Sequence, residues 1–141
     1  MEISTLSVLT FFTAFVLLAC ASNNNQEKES LDEVAKQIHH EVGNAEADHI
    51  EQCQSMPIGV KPAGGPWGYL VYSEKTTDTH KLKELIEHYN ELNAELNKRE
   101  DIMSTADIAT PPTLKIVDGR CVGEGHYAWN PGDLYDEEDE Q

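Results

Sequence analysis

The sequence predicts a small α/β chain of the α+β type, with two helices packed on a three-stranded antiparallel sheet in the order helix–strand–helix–β-hairpin. Three observations carry that expectation. Two segments place apolar residues at spacings of three and four, the helical period. Between them Tyr69-Leu70-Val71-Tyr72 is an aromatic and β-branched block set off by Gly64-Gly65-Pro66-Trp67-Gly68, as a short strand is by its turn. Near the end, Leu114-Lys115-Ile116-Val117 and Arg120-Cys121-Val122 flank Asp118-Gly119, a dipeptide suited to a two-residue type I′ turn.

The first helix is expected to open at a capping box, Ser30 with Glu33, where acidic side chains also suit the helix dipole. Leu31, Ala35, Ile38, Val42, Ala45, His49 and Cys53 then form one stripe. That predicts about 20 residues of helix, weakened or kinked at Gly43 and stopped by Pro57. Residues 57–68 hold too much Pro and Gly for regular structure, yet Ile58, Val60 and Trp67 are apolar, so this loop should pack over the core. It is no P-loop, because the Lys and Ser/Thr are missing and a strand follows where a helix should start.

The second helix has N-cap candidates in Thr76-Thr77-Asp78-Thr79. Its stripe is Leu82, Leu85, Ile86, Tyr89, Leu92 and Leu96, and Lys98 and Arg99 suit its C-terminal end. Tyr89 lies on that stripe and reads as core. Residues 105–112 are a loop, since Pro111-Pro112 blocks helix. In the hairpin Val117 should face Arg120 and Ile116 should face Cys121, which puts Leu114, Ile116 and Cys121 on the core side.

The N-terminal stretch from Leu6 to Ala19 is mostly apolar, too short to span a bilayer and suited to the h-region of a signal peptide. Its flank Met1-Glu2-Ile3-Ser4 lacks the usual basic residue. The run ends in Leu17-Leu18-Ala19-Cys20, which resembles the lipobox of bacterial lipoproteins. The resemblance implies removal of residues 1–19, diacylation of the Cys20 thiol with palmitate-type chains, and anchoring to the membrane through that lipid. Ala21 is not the Asp that retains enteric lipoproteins at the inner membrane, so in a Gram-negative cell the outer membrane is implied. Residues 20–29 are polar and read as a flexible tether, residues 30–125 as the single domain, and residues 126–141 as an acidic, disordered tail.

The formal charge of −16, from 26 acidic and 10 basic residues, argues against nucleic acid and against adsorption to anionic headgroups. Once Cys20 is acylated, Cys53 and Cys121 are left as an even pair, and in an exported chain a pair of this kind is expected to form a disulfide. His39, His40, His49, His80, His88 and His126 show no ligand spacing that suits a zinc site, and no catalytic residue or cofactor is expected.

The run from Ile58 through Lys61-Pro62-Ala63-Gly64-Gly65-Pro66-Trp67 to Tyr72-Ser73 resembles a family of small exported bacterial proteins, many of them predicted lipoproteins. The likeness covers residues of about 53 to 122 and implies an architecture but no activity. Relatives commonly carry Cys where this chain has Ala63 and Ala106, so the resemblance implies a second disulfide lost from both ends together. The function expected is therefore that of a lipid-anchored envelope domain, non-enzymatic, monomeric, with a binding or structural role and an envelope protein as candidate partner. Ile58, Val60, Lys61, Pro62 and Trp67 are the candidate binding surface. Two rivals stand beside it: an inhibitor of exported proteases acting through residues 57–67, and a small hydrolase or metal-binding protein.

Overall fold

Helix α1 (Asn23–Val42) buries Val34, Ala35, Ile38 and Val42, a stripe close to the one predicted. The computed structural model describes residues 23–131, with side chains from residue 30. The stretch expected to be a signal peptide, Cys20 and residues 132–141 lie outside the described residues. Two expectations about α1 need correcting. The helix starts before Ser30, so residues 23–29 are helical backbone where a flexible stretch was expected. Gln26, Glu27, Lys28 and Glu29 are polar but good helix formers, and polarity alone did not make them coil. The helix also stops at Gly43, not at Pro57. Gly43 and Ala45 adopt left-handed backbone, with φ of 55° and 50°.

Beyond that break the chain follows the outer edge of the hairpin. Cys121 N–H donates to Ala45 C=O at 2.8 Å and Ala47 N–H to Gly119 C=O at 2.9 Å. Ala45 is buried as the periodicity suggested, and Ala47 beside it, but by this pairing and not by a helix. A single 3₁₀ turn (Ile50–Gln52) leads into β1 (Cys53–Ile58). Pro57 sits inside β1, which is an edge strand, where a missing N–H is tolerated.

Strand β2 (Gly68–Ser73) is the predicted central strand and pairs antiparallel with β1, from Cys53 opposite Ser73 to Ile58 opposite Gly68. Its Leu70, Val71, Tyr72 and Ser73 are all buried. Helix α2 (Thr79–Arg99) is capped by Asp78, whose carboxylate accepts from His80 N–H and Lys81 N–H. Leu82 and Ile86 are buried, and Tyr89 packs on the core as expected; burial raises its phenol pKa, with the Asp32 charge adding to the effect.

The hairpin of β3 (Thr113–Val117) and β4 (Arg120–Glu124) has the predicted register, Ile116 opposite Cys121 and Val117 opposite Arg120. Asp118 and Gly119 take φ of 51° and 74°, as a type I′ turn demands. The hairpin does not, however, complete the sheet of β2. The third strand there is β5 (Ala128–Trp129), which runs parallel to β2. The sheet is therefore mixed, and the hairpin is a separate two-stranded ladder. The reason is contact geometry: a Cβ on Gly123 would sit 2.7 Å from Val71 Cγ2, so β4 packs across β2 by its bare backbone instead of extending it. The domain accordingly runs past residue 125. Trp129 lies over Gly68, where a Cβ would collide with its indole Nε1, and Asn130 exchanges hydrogen bonds with the Gly123 backbone.

Cys53 and Cys121 form the expected disulfide, 68 residues apart in sequence and buried in the core. Cys53 reaches it from the start of β1, not from α1.

Candidate functional site

The five residues proposed as a binding surface lie close in sequence, Ile58 at the end of β1 and the other four in the loop that follows it, but they do not all face outward. Ile58 is fully buried and Lys61 is nearly so, while Val60 and Trp67 are half-buried and Pro62 is exposed. The exposed part of the loop is the tip from Pro62 to Gly65. An inhibitor would have to present an extended run here, and what stands out from the protein is a four-residue turn. That turn is closed by two backbone bonds between Lys61 and its neighbours, Gly64 N–H to Lys61 C=O and Lys61 N–H to Gly65 C=O, each 2.9 Å.

Three asparagines of α2 hold the loop from below. Asn90 Oδ1 accepts from Gly59 N–H at 2.7 Å, Asn93 Oδ1 accepts from Val60 N–H at 2.9 Å, and Asn97 Nδ2 donates to Val60 C=O at 2.6 Å. Positions 90, 93 and 97 are spaced by three and four and so fall on one face of the helix. Their amides supply the hydrogen bonds that an irregular, partly buried backbone cannot make for itself. Gly59 has φ of 78°, and a Cβ there would meet the Trp67 ring at 2.6 Å, so no other residue fits without moving the indole.

The Lys61 side chain is the polar centre of the site. Its ammonium donates to the backbone carbonyl of Asp107 at 2.9 Å and pairs with the Asp107 carboxylate at 3.1 Å. The same nitrogen lies 5.8 Å from the Trp67 ring centroid and 5.5 Å from that of Tyr127, within cation–π range of both. Asp107 also accepts from the hydroxyls of Thr105 and Tyr127. The Thr105 hydroxyl, then the Tyr127 hydroxyl and Lys61, hold its carboxyl well below the usual carboxylate range. The Tyr127 phenol is shifted upward in turn, because its proton is engaged by that carboxylate. Ala63 N–H donates to Ser104 Oγ at 3.1 Å, so the tip of the loop lies beside the segment that follows α2.

Sequence reading found this loop and its apolar character but missed its clamps. Asp107 and Tyr127 are far from Lys61 in sequence, and neither lies in a motif. The asparagine spacing on α2 was the one available signal. Away from the loop, a cleft of about 180 Å³ is lined by His39, Asn44, Arg120 and Asn130, and another of about 270 Å³ lies between α1 and α2. Among the described residues no three His, Cys, Asp or Glu side chains converge as a metal site would require. None of the described helices is long and apolar enough to cross a membrane. No protein-family model, curated protein or solved structure matches the chain.

Proposed function

We propose that this chain is an exported lipoprotein whose domain is held at the cell envelope through acylated Cys20 and acts by binding or structural support, not by catalysis. The observation that carries the non-catalytic part is the use made of the loop's polar groups. Lys61, Asp107, Asn90, Asn93 and Asn97 are the obvious candidates for chemistry, and each is bonded to a partner within the protein. A catalytic group must instead direct its lone pair or proton at a substrate in a pocket. Here the chemistry makes a rigid loop. Export is supported by the buried disulfide, because such bridges persist in oxidising compartments.

The test is chemical. The full chain is expressed with an alkyne-bearing palmitate analogue, and the mature N-terminal peptide is analysed by mass spectrometry. Wild type is expected to carry acyl chains on Cys20 and to partition into detergent, and Cys20→Ala to lose both properties. A wild-type peptide that still contains residues 1–19, or begins at Cys20 without acyl mass, refutes the anchoring.

A further inference from the structure

Three of the five large apolar side chains left exposed among the described residues lie in one short segment, Ile102, Met103 and Ile108. Met103 is 89% exposed and Ile108 83% exposed. The segment is not loose. Ser104 is bonded to Ala63, Asp107 to Lys61, and Ala109 is buried, so the anchors turn inward while Met103 and Ile108 are held out in water. An exposure of this kind calls for a partner.

The helix arrangement says where that partner is. Glu41, near the end of α1, bonds to Asp78 N–H and Lys81 at the start of α2. Asp32 is close enough to act electrostatically on Tyr89, half-way along α2. The two helices are therefore antiparallel. From the Asp32–Tyr89 level, the nine residues back to Asn23 and the ten forward to Arg99 span about 14 and 15 Å. The start of α1 and the end of α2 thus lie at the same end of the domain. At that end Asp101 takes a left-handed φ of 49° and Ile102 N–H bonds back to Asn97 C=O, which ends α2 and sends Met103 off its tip. Asn97 also pins the loop that holds Asp107, so Ile108 belongs to the same end.

Cys20 is three positions before Asn23, a reach of about 10 Å even when fully extended. We infer that the end of the domain bearing Ile102, Met103 and Ile108 faces the bilayer that holds the Cys20 lipid, with Met103 and Ile108 inserted among its headgroups and upper acyl chains. This rests on the lipoprotein reading and names the partner of the braced loop's end. Lys98 and Arg99 are offset there by Glu100 and Asp101, so the contact is apolar and needs no anionic lipid.

The experiment uses full-length acylated protein in phosphatidylcholine vesicles that contain nitroxide-labelled lipid. Met103→Cys, Ile108→Cys and, at the opposite end, Thr76→Cys are each labelled with bimane; the added thiol is the only free one when Cys20 is acylated and Cys53–Cys121 is oxidised. Quenching at positions 103 and 108 is expected to exceed that at position 76 about threefold or more. Equal or weaker quenching at 103 and 108, in protein whose acylation is verified by mass, overturns this inference and leaves the anchor standing. Protein without acyl groups on Cys20 overturns the anchor and this inference with it.

Discussion

Removing the disulfide is the sharpest test of how this domain is stabilised. The bridge closes a segment of 68 residues, from the first residue of β1 to the second of β4. On the chain-entropy account a loop of that size restricts the unfolded chain by about 4 kcal/mol. Both cysteines are buried, at 3% and 0% exposure, so Cys53→Ala with Cys121→Ala loses packing as well. For roughly 110 ordered residues the unfolding entropy is about 0.2 kcal/mol/K, and Tm should fall by about 20 °C. The assay is thermal and urea unfolding of residues 20–141, followed by circular dichroism, with Cys20→Ser in both proteins so that no third thiol is present. The urea m-value should rise, since an uncrosslinked chain exposes more surface when it unfolds. A drop in Tm below about 10 °C with an unchanged m-value would refute the reasoning, because the denatured chain would then be as restricted without the bridge as with it.

Two further predictions concern the loop. Asn97→Leu removes the donor to Val60 C=O from a site only 8% exposed, and an unsatisfied carbonyl there should cost about 1–3 kcal/mol in urea unfolding. A loss below about 0.5 kcal/mol would mean that water replaces the amide. Asp107 governs a pH dependence. Its folded pKa is depressed from 3.8, so its stabilisation is present above that value and is lost as pH falls towards the folded one, the unfolded chain taking up the proton first. Asp107→Asn should therefore flatten the acid limb of the stability curve below about pH 4, and parallel curves for the two proteins would refute the role of this carboxylate.

Local patterns were legible in the sequence wherever one short segment determined its own structure. The Asp118-Gly119 turn, the hairpin register and the capped stripe of α2 all follow from neighbours within a few residues. The disulfide followed from counting cysteines. Where α1 ends was misread because Ala45, His49 and Cys53 continued a helical spacing after the chain had turned at Gly43; two of those three are buried, but against β4 and within β1. In residues 126–131 Pro, Gly and aromatic residues carry no period that marks them as part of the fold, and only the space over Gly68 shows why Trp129 belongs to it.

The loop from Ile58 to Trp67 divides the same way. Its Pro and Gly content and its apolar residues predicted that it is irregular and packs on the core, and the missing Lys and Ser/Thr set it apart from a P-loop. Tertiary structure decided which of its residues face out, since Lys61 turns inward where Asp107 and Tyr127, from two distant parts of the chain, meet Trp67 of the same loop. Charges and ring faces brought together over long sequence distances leave no periodic trace. They exist as a site only once the backbone has folded.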